Sequence, residues 1–154
     1  IASASDDGSV QVWDPTTGAT ALTYKDHHAP VWAVAWSPDG KRIASGTGEA
    51  GAQGPNYVNN GVRVWDATTG QTLVTFTAHA KNQVYALAWS PDGSQIVSSG
   101  DDGTSYVWDA ATGHITLMYH TTFFWSDDWS PKTNLIASAS NDGTVQLWRP
   151  ALGS

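Results

Sequence analysis

The chain has 154 residues, 40% hydrophobic and 14% charged, enough for one ordinary folded unit. Its net charge is −7 with no cluster of lysine and arginine, which argues against nucleic acid and against an anionic membrane surface as partners. There is no cysteine, which excludes disulfides and thiolate metal sites, and no apolar run reaches the ~18 residues of a membrane-crossing helix.

The chain opens with I-A-S-A-S-D-D-G-S-V-Q-V-W-D at Ile1–Asp14. Asp-Asp-Gly makes a hairpin turn, because Gly and Asp tolerate positive φ, and Val10–Trp13 reads as a strand. Thr17-Gly18 turns the chain into a further strand at Ala19–Tyr24. The apolar run Val31–Trp36 follows, closed by W-S-P-D-G at Trp36–Gly40, with Pro and Gly placed for a tight turn. Arg42–Ser45 and Val62–Trp65 are the next strands, separated by the Gly-rich stretch 48–60, and Thr69-Gly70 leads into Gln71–Phe76. The same grammar then repeats. Val84–Trp89, a second W-S-P-D-G at Trp89–Gly93, Gln95–Ser99, Ser105–Trp108 and His114–Tyr119 form one unit. The last unit holds F-F-W-S-D-D-W at Phe123–Trp129, a worn W-S-P-K-T at Trp129–Thr133, and I-A-S-A-S-N-D-G-T-V-Q-L-W at Ile136–Trp148. No stretch carries a helical period, so an all-β chain with essentially no helix is expected.

Aligned on Trp13, Trp65, Trp108 and Trp148, the spacings are 52, 43 and 40. About ten residues inserted at 48–60 account for the longest, leaving a period near 42. A period in this range means stacked supersecondary units.

Four strands per unit, a terminal Trp-Asp and a preceding His resemble the WD-repeat β-propeller family over nearly the whole chain. The regular S-P-D-G and T-G-x-x-L phrasing looks like the WD arrays of bacterial signalling proteins. The resemblance implies one all-β propeller segment over 1–154, with four-stranded antiparallel blades in a partial ring of about four. The blade pieces are expected at about 1–24, 31–76, 84–119 and 124–149. The middle two are complete; the first lacks its innermost strand and the last its outermost. The chain is thus expected to be a piece of something longer.

The resemblance also implies a hydrogen-bonded His–Ser–Asp–Trp set in each blade. The matches are His79, Ser98, Asp102 and Trp108, then His120, Ser138, Asp142 and Trp148. In the second unit they are His27 (or His28), Ser45 and Trp65, with Asn60 standing near the Asp position. A catalytic triad occurs once, beside an oxyanion hole; a set that recurs with every blade is a structural tie. Neither an enzyme nor a cofactor or metal site is expected.

Three groups are candidates for partner binding. Trp32, Tyr85 and Trp125 share one position, the second residue of the innermost strand, where the family places side chains near the channel mouth. Packing between blades and anchoring a partner both stay open for them. Tyr57 lies in the insertion, which is either a tolerated loop or a binding one. Asp127 and Asp128 stand where the other units have Val34 or Leu87 and Ala35 or Ala88, and a carboxylate in an apolar slot is costly unless paired or solvated. Drift of the last blade, a wet channel holding a cation or polar group, and a facing partner chain are the three explanations. Adjacent strand residues point to opposite faces, so the pair does not share a metal.

The function this implies is a non-enzymatic protein–protein interaction scaffold; the alternative is a glycan or small-ligand binding module. An open arc exposes apolar blade faces and unpaired edges. Cover is therefore expected from a second copy, as a dimer closing a ring of about eight blades, or from the remaining blades of a longer chain.

Overall fold

Strands of three to six residues cannot bury a face alone, so they pair into small antiparallel sheets that stack on one another. The structure, a computed structural model, describes residues 1–48, 61–79, 82–120 and 124–150. The first sheet runs β1 (Ala2–Ala4), β2 (Val10–Trp13), β3 (Thr20–Tyr24). The second runs β4 (Val31–Trp36), β5 (Arg42–Thr47), β6 (Val62–Asp66), β7 (Thr72–Phe76). The third runs β8 (Val84–Trp89), β9 (Gln95–Gly100), β10 (Thr104–Asp109), β11 (Ile115–His120). The fourth runs β12 (Phe124–Trp129), β13 (Ile136–Ser140), β14 (Val145–Trp148). Neighbours within each sheet are antiparallel and sequential, and the described residues contain no helix. This is the expected all-β blade pattern: two four-stranded blades flanked by two three-stranded ones.

The S-P-D-G turns need one left-handed residue, supplied by Gly40 (φ 68°) and Gly93 (φ 71°). The worn copy has Thr133 there, and the positive φ moves one residue on, to Asn134 (φ 51°). Asn is among the side chains that tolerate that region best. Its amide oxygen also accepts the Trp129 indole N–H at 3.0 Å.

Blades meet through apolar faces. Val10, Val12 and Tyr24 of the first pack on Val31, Ile43 and Trp65 of the second. Val62, Val64 and Phe76 pack on Val84, Ile96 and Trp108, and Val97 and Val107 pack on Trp129, Ile136 and Trp148. An aromatic at the end of each outer strand stacks on the next blade's repeat tryptophan. Tyr24 lies on Trp65 and Phe76 on Trp108, both with ring centroids 4.4 Å apart, and Tyr119 lies on Trp148 at 5.3 Å. The aromatic ring at each strand end offers a flat face that covers the indole.

Among the described residues, nothing covers the equivalent face on the fourth blade. Val145 and Leu147 are each 68% exposed, whereas their counterparts Val62 and Val64 are fully buried.

Candidate functional site

The third blade forms the complete tie. His79 Nδ1–H donates to Asp102 Oδ2 at 2.8 Å, Nε2 meets Ser98 Oγ at 3.0 Å, and the Trp108 indole N–H donates to the same oxygen at 3.0 Å. His79, Ser98 and Trp108 are fully buried, so the network satisfies polar groups that water cannot reach. In the second blade His27 Nε2 meets Ser45 Oγ at 2.6 Å and Trp65 N–H donates to Ser45 Oγ at 3.0 Å. His27, not His28, is the buried member. Burial, reinforced by the nearby Arg63 guanidinium, pushes His27 down to about 3, so the ring is neutral. Its Nδ1 has no hydrogen-bond partner among the described residues. Asn60 lies outside them.

The fourth blade departs from the expected set. Trp148 N–H donates to Ser138 Oγ at 3.0 Å, but His120 is exposed and its Nδ1 meets Thr104 Oγ1 at 3.1 Å instead. Asp142 accepts from Thr144 N–H and Oγ–H and does not reach a histidine. The reason is Asp127. Its Oδ1 takes the Ser138 hydroxyl at 2.5 Å, which fills the place that histidine holds in the second and third blades. Asp127 Oδ2 accepts from Ser99 of the third blade, and Ser99 also bonds Ser105 at 2.5 Å. Asp127 is 8% exposed, so it is not a partner-facing side chain. Asp128, on the opposite face of β12, is exposed and borders a cavity of about 450 Å³ lined by Trp36, Trp89 and Trp129. Among the described residues, no three His, Asp or Glu side chains converge as metal ligands.

Trp32, Tyr85 and Trp125 come together as one row. Trp32 and Tyr85 are stacked with centroids 5.8 Å apart, and Tyr85 and Trp125 lie at 5.1 Å. In each inner strand the pairing register skips this residue, between Val31 and Ala33, Val84 and Ala86, and Phe124 and Ser126. Each aromatic is therefore the extra residue of a β-bulge, a device that re-aims a side chain. Trp32 is 45% and Trp125 52% exposed. Polar neighbours fix the ring tips: Trp32 N–H donates to Asp6 Oδ1 at 3.2 Å, Tyr85 O–H to Gln83, and Trp125 N–H to Asn141 Oδ1 at 3.3 Å. Burial, with Asp101 nearby, pushes the Tyr85 phenol up. The backbone of Gly48 lies flat under Trp32, where an added Cβ would sit 2.0 Å from the ring. Tyr57 lies outside the described residues.

Sequence reading missed Ser99 and Ser105. The signal was present: Ser99 stands where the other units have Ala4, Gly46 and Ala139, and Ser105 where they have Val10, Val62 and Val145. The bulges left no such trace, because they are a property of strand pairing.

The family model described as WD domain, G-beta repeat (WD40) matches residues 1–14, 18–66, 70–109 and 113–149. The chain is 31% identical over 119 residues to periodic tryptophan protein 2 homolog of Dictyostelium discoideum, covering 75% of the chain and 12% of that protein. It is 32% identical over 128 residues to nuclear distribution protein PAC1 of Arthroderma benhamiae, covering 80% and 27% respectively. It is 35% identical over 109 residues to actin-interacting protein 1 of Drosophila melanogaster, covering 70% and 16%. The chain thus spans 12–27% of the length of these relatives. Among solved structures it matches the computationally designed Ika4 protein with a TM-score of 0.75 at 30% identity, over 96% of this chain and 83% of that one.

Proposed function

We propose a function from one premise: the chain belongs to the WD40 repeat family. WD-repeat proteins in general are protein-interaction scaffolds, and our reading is that this chain is one, docking a protein segment without catalysis. The observation that carries it is the row Trp32, Tyr85 and Trp125, three aromatics set at β-bulges and brought against one another. Rigid aromatics expose large area at small entropy cost, which suits them to anchor a partner. Asp6 and Asp101 flank the row, and the chain carries −7 overall, so the segment that fits is extended and basic. Its Lys or Arg side chains would lie over the rings by cation–π contact and reach the carboxylates.

Titration of the chain against an array of 12-residue peptides graded in Arg and Lys content tests this. Binding that rises with basic content and falls at least about ten-fold in Trp32→Ala or Trp125→Ala is expected. A flat array, or binding indifferent to both substitutions, would sink the assignment.

The bare Val145 and Leu147 face is read as covered in the working protein. The cover is another blade, from a second copy docking head to tail or from further blades of the same polypeptide.

A further inference from the structure

The inter-blade contacts around residue 127 follow a code that differs at one junction. Val34, Leu87 and Asp127 hold the same register, each opposite the repeat serine: Ser45, Ser98 and Ser138. Each is set against a cross-strand pair of the preceding blade. Those pairs are Ala4↔Val10, Gly46↔Val62 and Ser99↔Ser105. Val34 joins the cluster of Ala4 and Val10, and Leu87 that of Val62, with its Cδ1 3.5 Å from where a Gly46 Cβ would be. At the third junction all three positions turn polar together.

We infer that Asp127 is the selectivity residue of the third–fourth blade junction: it replaces the histidine as acceptor for Ser138, and with Ser99 and Ser105 it matches these two blades to each other. One chain of donors runs through the seam. Trp148 N–H donates to Ser138, Ser138 O–H to Asp127 Oδ1, and Ser99 O–H to Asp127 Oδ2; Ser105 bonds Ser99. Among the described residues, no buried side-chain oxygen or nitrogen of these strands is left without a partner. Mismatched junctions are penalised in either direction. A carboxylate against Gly46 and Val62 would be buried without donors, and a leucine against Ser99 and Ser105 would leave hydroxyls short of an acceptor. The displaced His120 and the buried Asp127 are thus one coordinated change rather than wear.

Among the described residues, the strands of the seam hold no lysine or arginine. Neither β9 nor β13 has a titratable residue, β8 contributes Tyr85, β12 itself contributes Asp128 on its other face, and His79 is the basic group near enough to act. Burial pushes the Asp127 carboxyl above its ordinary 3.8 despite the two serines and His79. A raised folded value places this residue's stabilisation below about pH 3.8 and removes it as pH rises through the folded value. The contribution of Asp127 to the junction therefore falls as pH rises from about 3.8 through its folded value.

The test uses the whole chain in three versions: Asp127→Leu, Ser99→Gly with Ser105→Val, and all three together. Urea unfolding should give a coupling of about ten-fold in the unfolding constant, the triple variant exceeding the sum of its parts. Simple additivity would overturn the matching. A second readout needs no stable variant of the seam. In the native protein the Trp148 indole N–H resonance, identified by its loss in Trp148→Phe, should move with the titration of Asp127, while that of Trp65 does not follow it. A Trp148 resonance that ignores this titration would refute the assignment of Asp127 as acceptor. Finally, the stability of Asp127→Asn relative to the native chain should grow as pH rises from about 3.8 through the folded value of Asp127. Taking the difference at each pH cancels the contribution of His27, which runs the other way. Its folded value lies below the unfolded one, so its stabilisation is lost as pH falls through about 6.5 toward about 3.

Discussion

Ser98→Ala is the sharpest test that the repeated His–Ser–Asp–Trp set is a tie and not a triad. The Ser98 hydroxyl serves two buried groups at once, His79 Nε2 and the Trp108 indole N–H, each at 3.0 Å. Ser98, His79 and Trp108 are all fully buried, so no water replaces what the hydroxyl supplied. An unsatisfied buried polar group costs about 1–3 kcal/mol. Two groups of one network, which do not add fully, give about 3 kcal/mol. For a 154-residue domain that is roughly a 10 °C fall in melting temperature. The assay is urea unfolding followed by tryptophan fluorescence, since Trp108 lies in the network itself. Asp102→Asn serves as the graded control. It removes the charge that His79 Nδ1–H donates to, at a residue less deeply buried than the serine, and should cost about 1 kcal/mol. A Ser98→Ala loss below about 1 kcal/mol would mean that the indole and imidazole are satisfied elsewhere. The structural reading of all the blades would then fail.

Two further outcomes follow from packing. Gly48→Ala puts a Cβ 2.0 Å from the Trp32 ring, so the ring must leave its stack on Tyr85. The expected result is a loss of about 1–3 kcal/mol and of the Trp32-dependent peptide binding, read by calorimetry; unchanged binding would detach Gly48 from the row. Size-exclusion with light scattering should give a mass near twice 16.4 kDa if a second copy covers the fourth blade. Val145→Asp with Leu147→Asp should then return the mass to one chain while leaving the melting temperature of the remainder nearly unchanged, because both side chains are exposed in the single chain. A stable single-chain mass for the native protein would refute self-association as the source of cover.

Much of this protein is written in local chemistry. The alternation of β-branched and aromatic residues, the Gly, Pro and Asp turns, and the recurring tryptophans require only neighbours in sequence, so the strand order and the blade units are readable from the chain. The third-blade network is legible through the family resemblance, because His79, Ser98, Asp102 and Trp108 match the positions of the WD-repeat motif. Two things are decided only in three dimensions, one when strands pair within a blade and one when blades meet. The bulges that turn Trp32, Tyr85 and Trp125 outward depend on which residue of one strand is skipped by its partner. The fate of Asp127 depends on two serines of another blade, 28 and 22 positions earlier, that carry no motif. A buried carboxylate looks like an error in its own strand. Its acceptability is set by the donors facing it across the junction, and stacking in three dimensions alone brings them there.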